Sequence, residues 1–177
     1  MVPWSFDSKE MLIVSDALEI AEETIGDFFK FSFGQWKRHC YDVKTVMHLD
    51  ETGIVHGAFA SLEKSSRKVD DLDFSREKRD YYFICLQDHH ILEALDRDKE
   101  LGLIPLLVYV FSHELIHIVR FCNFSQRFEV SDTKKRQKEE RIVHTTTYEI
   151  LKNLSLHKLD YILHSYKNQR VCDYAVC

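Results

Sequence analysis

Between residues 9 and 30 the apolar positions fall three and four apart: Met11, Ile13 and Val14, Leu18, Ala21, Ile25, Phe28 and Phe29. That period predicts an amphipathic helix, with Ser8 as its cap and an end in the stretch from Gly26 to Gly34. The period then shortens. Val43, Thr45, Met47 and Leu49 alternate, Asp50-Glu51-Thr52-Gly53 supplies turn residues, and Ile54 to Leu62 resumes a strand-like pattern, which together predict a hairpin. From Lys64 to Asp80 charges of both signs are mixed, as in a solvated loop, and Tyr81 to Gln87 predicts a third strand.

The second half of the chain reads as helices. Asp88 to Leu95 predicts a short one, closed by Lys99-Glu100-Leu101-Gly102. Pro105 suits the first turn of the next helix, where its missing N–H costs nothing, and the pattern then runs unbroken to about Phe121. This central helix is apolar nearly all round, so it should be buried. Asn123 to Asp132 predicts a loop, Lys134 to Asn153 a long helix and Lys158 to Tyr166 a terminal one. A helix, then antiparallel strands, then helices, argues for an α+β domain with a small sheet packed on the helices. The 177 residues suit a single domain.

Composition narrows the function classes. The net charge of −5 gives no global attraction to a phosphate backbone, so nucleic acid is not an expected partner. The longest apolar run, Leu101 to Phe111, is short of the ~20 residues a bilayer span needs, and the N-terminus lacks the basic and apolar regions of a secretory signal, so no membrane association is expected. Cys40, Cys85, Cys122, Cys172 and Cys177 contain no CxxC pair, which fits a reduced, cytoplasmic protein. The 10 histidines direct attention to metal binding and proton transfer.

Inside the central helix stands His113-Glu114-Leu115-Ile116-His117. Helical positions i and i+4 share a face, so the two imidazoles can converge on one ion, while Glu114 is turned about 100° away and can address a metal-bound water. The other faces carry Leu106, Leu107, Val108, Val110, Phe111, Leu115, Ile116, Ile118 and Val119. Burying a carboxylate and two imidazoles unpaired would cost several kcal/mol, a cost that coordination of a cation avoids and that hydrogen bonding as core histidines would also reduce. A catalytic zinc site needs a third protein ligand. On the following helix the buried side centres on Val143, Thr147, Ile150 and Leu154; Glu139 and Glu140 both flank it, and only Glu140 shares a face with His144.

His113-Glu114-x-x-His117 on a buried helix, with Glu140 on the next long helix, resembles the gluzincin branch of the zincin metallopeptidases. The resemblance covers roughly residues 81 to 152 and implies a minimal zincin-like core. It implies Zn²⁺ held by His113, His117 and Glu140, with Glu114 as general base. Many gluzincins place an aspartate four residues after the third ligand to orient a ligand histidine; here His144 stands there, as a hydrogen-bond partner, a donor to the reacting oxygen, or a fourth ligand. The metzincin pattern is absent, because the Gly and third His that it places after the second histidine are missing. Zincins pair bound peptide with an edge strand, which would correspond here to Tyr81 to Gln87 or Ile54 to Leu62.

Other candidates read more plainly. Phe124 and Phe128 could line a specificity pocket but fit packing better, and Tyr148 is either a donor or a half-buried helix tyrosine. Asp88-His89-His90 reads as a solvated turn, and Cys122 as a small core residue and not a deformylase-like thiolate ligand. The expected function is a zinc-dependent hydrolase of peptide or protein substrates. The alternative is a non-catalytic metal-binding or regulatory module with a closed His₃Glu site. A third reading is an interaction protein using Phe28, Phe29, Phe31, Phe33 and Trp36.

Overall fold

A computed structural model describes residues 4–31, 41–67, 79–123, 127–129 and 131–166. Among these, five helices and a three-stranded mixed sheet form an α+β fold. Helix α1 (Ser8–Phe29) starts one residue earlier than its period suggests, and its cap is Asp7, not Ser8. The Asp7 carboxylate accepts from the Lys9 and Glu10 N–H groups at 2.7 and 2.8 Å, and Glu10 reaches back to the Asp7 N–H at 2.8 Å. A carboxylate followed three residues later by Glu satisfies two orphan donors at once, which Ser8 could not do from inside the first turn. Lys30, in the left-handed region at φ 58°, ends the helix.

The predicted hairpin does not form. Strands β1 (Tyr41–Lys44), β2 (Ala60–Arg67) and β3 (Arg79–Leu86) lie in the order β1-β3-β2, with β3 parallel to β1 and antiparallel to β2. After β1 the chain winds into a 3₁₀ turn at Val46–His48, which leaves Met47 69% exposed where alternation had made it a strand residue. Asp50 then accepts from Thr52 N–H, Thr52 Oγ1 and Gly53 N–H, so the turn residues close a loop rather than reverse a strand. β3 takes the centre because it can be covered on both sides: Tyr82, Ile84, Cys85 and Leu86 are all buried. The mixed-charge stretch is strand at both ends, up to Arg67 and from Arg79, with a Lys64–Asp80 ion pair at 3.2 Å; residues 68–78 lie outside the described residues.

Helix α2 (Asp88–Arg97) follows β3 directly, so His89 and His90 stand in a helical first turn, half-buried with rings 4.1 Å apart, and not in a solvated turn. Gln87 and Asp88 are fully buried there and bond backbone groups of three separate segments, which is what pulls this turn inward. Helix α3 (Leu103–Cys122) is the axis of the molecule. It is long and apolar enough to cross a membrane by length and composition, and sixteen of its twenty residues are buried within the fold. Val14, Ala17, Ala21 and Ile25 form the buried face of α1, which packs on it, and the small Ala17 and Ala21 allow close approach. Leu62, Ile84 and Leu86 of the sheet join the same core, as do Val143, Ile150 and Leu151 of α4 (Thr133–Leu151) and Leu159, Ile162 and Leu163 of α5 (Leu159–Tyr166).

Candidate metal centre

The centre lies where α3 and α4 pack antiparallel. α3 supplies His113 and His117, which an apolar helix buried on every side removes from solvent: 0% and 1% exposed. α4 begins at an Asp132 cap that accepts from Lys134 and Lys135 N–H, and it brings Glu140 and His144 to the same place. His113 Nε2 is 3.3 Å from Glu140 Oε2, His117 Nε2 is 3.3 Å from Glu140 Oε1, and the two Nε2 atoms are 3.1 Å apart. A tetrahedral zinc with bonds of ~2.1 Å separates its ligands by about 3.4 Å, so these atoms already stand at coordination spacing.

The electrostatics agree with the geometry. The Glu140 oxygens are buried without a well-aligned hydrogen bond, and His113 Nδ1 is likewise buried without one. Two facing Nε2 atoms can share one N–H···N bond, which leaves the carboxylate short of donors; a cation among them would engage both Nε2 atoms and the carboxylate together. Burial alone would push the Glu140 carboxyl up, but short-range and charge attraction from His113 and His117 outweighs it and holds the group well below the usual carboxylate range. The donor set of two imidazoles and a carboxylate suits zinc.

His144 stands just outside this triangle. Its Nε2 is 4.0 Å from Glu140 Oε2, its ring centroid is 4.6 Å from that of His113, and donor atoms of His113, Glu140 and His144 fall within 4.8 Å of one another. Burial, with the neighbouring His113, pushes its pKa down to about 4, so it is neutral at pH 7. The chain matches no protein-family model, no curated protein and no solved structure.

Glu114 follows His113 on α3 and is buried. It lies near enough to β3 for its charge to help raise the Cys85 thiol, which burial and Glu63 chiefly push up to about 12. Glu139, the other flanking glutamate, is not solvated at all. It is 3% exposed and takes both Nε and Nη2 of Arg120, the latter at 2.8 Å. That fork ties α4 to α3 one turn beyond His117 and fixes the face on which Glu140 points inward. Phe128 packs on Tyr82 and Phe121, and Phe121 stacks on the His117 ring at 5.9 Å, so this aromatic group braces a ligand candidate instead of lining a cavity. Tyr148 and Cys122 are half-buried against the core. Phe29 and Phe31 also pack on it and Phe28 is exposed, while Phe33, Trp36 and Phe124 lie outside the described residues.

Two participants escaped the sequence reading. Tyr109, one turn before His113, places its hydroxyl 3.1 Å from His144 Nδ1, and Arg120 is the partner of Glu139. The only signal was spacing, i−4 from His113 and i+3 from His117, on a helix where a tyrosine passes for core.

Proposed function

We propose that the chain is a zinc-dependent metallopeptidase in which His113, His117 and Glu140 would hold the ion, with Glu114 as general base and His144 beside these three. One observation carries this reading: two imidazole nitrogens and both oxygens of one carboxylate converge at 3.1 to 3.3 Å on a buried helix pair, and the carboxylate oxygens lack a well-aligned hydrogen bond. When bound, Zn²⁺ supplies Lewis acidity for the scissile carbonyl and lowers the pKa of a water toward ~7. Glu114, one residue from a ligand and sequestered from bulk solvent, takes the water proton and returns it to the leaving amine. His144, neutral and about 0.6 Å beyond coordination spacing from Glu140 (4.0 against ~3.4 Å), can face the substrate oxygen.

Glu114→Gln tests the assignment. It should keep about one zinc per chain and the fold, while hydrolysis of unfolded proteins or a peptide library falls at least ~10²-fold. Equal cleavage by this variant and the wild type would refute Glu114 as base. The close grouping of His144 with His113 and Glu140 supports a second reading, a closed His₃Glu centre with a structural role. A zinc-bound structure with four protein ligands and no water on the metal would decide for that one.

A further inference from the structure

We propose that Tyr109 is a positioning residue that holds His144 as its Nε2–H tautomer, so that the Nε2–H is aimed into the centre as a hydrogen-bond donor to the substrate carbonyl oxygen. The proposal rests on the metallopeptidase reading for the purpose of that donor, though not for the tautomer.

The His144 ring is held between two unlike groups. On one side the Tyr109 hydroxyl is 3.1 Å from Nδ1, and a hydroxyl can give or take a hydrogen bond there. On the other, the Glu140 carboxylate lies 4.0 Å from Nε2 and can only accept. An acceptor-only anion facing Nε2 favours the proton on that nitrogen, which leaves Nδ1 a lone pair for the Tyr109 O–H to donate into. The hydroxyl, able to give or take a hydrogen bond, can answer the carboxylate's demand. Tyr109 is 2% exposed and lies on the His113 face of α3, so the contact is built into the helix pair and is not a surface accident.

The resemblance would have a residue at this position orient a ligand histidine. His144 does not do so: the Nδ1 of His113 is buried without a hydrogen bond, while His144 spends its own Nδ1 on Tyr109 and turns Nε2 inward. At 4.0 Å from Glu140 Oε2, Nε2 stands outside the spacing of a shared coordination sphere, as suits a donor beside the ion more than a fourth ligand.

Long-range ¹H–¹⁵N correlation of histidine-labelled protein reads tautomer and coordination separately for each ring. In metal-free wild type, His144 should show the Nε2–H tautomer, and Tyr109→Phe, which removes only the hydroxyl, should move it toward a mixture of both. On addition of one equivalent of Zn²⁺, the His113 and His117 nitrogens should shift as ligands, His144 should not, and Tyr109→Phe should change zinc affinity by less than about threefold. An Nδ1–H tautomer in the wild type, a His144 nitrogen that coordinates zinc, or a Tyr109→Phe spectrum identical to wild type at His144 would each overturn the proposal. The wild-type spectrum decides even if the variant folds poorly. Failure of His113 and His117 to respond to Zn²⁺ is a different result, which removes the metal centre and with it the carbonyl-donor role, while leaving the tautomer result to stand.

Discussion

Two buried polar clusters in this molecule invite comparison. At the start of α2, Asp88 accepts from the Phe6 and Val46 N–H groups at 3.2 and 3.3 Å, and Gln87 accepts from Val55 N–H at 3.1 Å while donating to Gly53 O at 2.9 Å. Each of these side chains is matched by backbone groups of opposite sense, and together they fasten the N-terminal segment, the 3₁₀ turn and the loop before β2 to one point. At the α3–α4 contact the reverse holds: two imidazole nitrogens and a carboxylate, electron-pair donors in the main, face one another. A buried polar group whose donors and acceptors are matched by backbone of its own chain belongs to the architecture; a buried carboxylate left without a well-aligned donor, beside two imidazoles, is a candidate place for a cation. Both clusters lie inside the same small fold, so burial alone does not separate them, whereas the balance of donors and acceptors does.

The most forceful way to break the comparison is to remove a ligand candidate. His113→Ala or His117→Ala should abolish stoichiometric zinc, lowering affinity by at least ~10²-fold, measured by elemental analysis after dialysis and by competition titration. Protein prepared without chelator that holds no zinc and takes up none would make the α3–α4 cluster an architectural one after all. Glu140→Gln should weaken zinc by about tenfold or more. Its neighbour separates site from scaffold: Glu139→Gln should leave zinc affinity within about threefold but cost roughly 2 kcal/mol of unfolding free energy, because the Arg120 fork loses its charge. The reverse ranking in the titration would exchange the roles of the two glutamates.

Gln87→Ala sharpens the other side. It strands the Val55 N–H and Gly53 carbonyl that the amide had completed, and should destabilise the protein by about 1–3 kcal/mol in urea unfolding with zinc affinity unchanged. A loss of zinc binding in parallel with stability would couple the two clusters and undo the distinction.

Much of this was legible in the sequence. The helices were, because a 3.6-residue period survives any tertiary context, and the α3 boundaries differ from the pattern by two residues at the start and one at the end. That His113 and His117 share a face was legible for the same reason, since i,i+4 spacing is a local fact, whereas the approach of Glu140 to within 3.3 Å of both comes from the packing of two helices. Strand pairing was not: β1 and β2 each alternate as hairpin arms would, yet both pair with β3, a non-local choice set by which strand can be covered on both faces. The roles of Glu139, Arg120 and Tyr109 depend on the antiparallel register of α3 against α4, which no single helix period contains. The Asp7 cap was within reach, since an aspartate three residues before Glu10 is a capping box in plain sight.

The smallest effect concerns pH. Burial is the chief influence on Asp88 and pushes its carboxyl up, partly offset by the Phe6 and Val46 N–H bonds. A carboxyl whose folded pKa exceeds its unfolded one binds more protons in the folded state, so stability falls as pH rises from the ordinary carboxylate range through the raised value, and is flat above it. Asp88→Asn removes this proton while keeping one acceptor oxygen for the two N–H groups. The variant should be less stable than wild type by about 1 kcal/mol at low pH, with the gap narrowing as pH rises and Asp88 loses its proton. Urea unfolding of wild type and variant between pH 4 and 7, in chelator so that the metal cluster contributes no binding energy, reads this directly. A gap that widens toward neutral pH would mean that the ionised carboxylate is stabilising, with its hydrogen bonds outweighing burial, and Asp88 would then be a fully compensated charge.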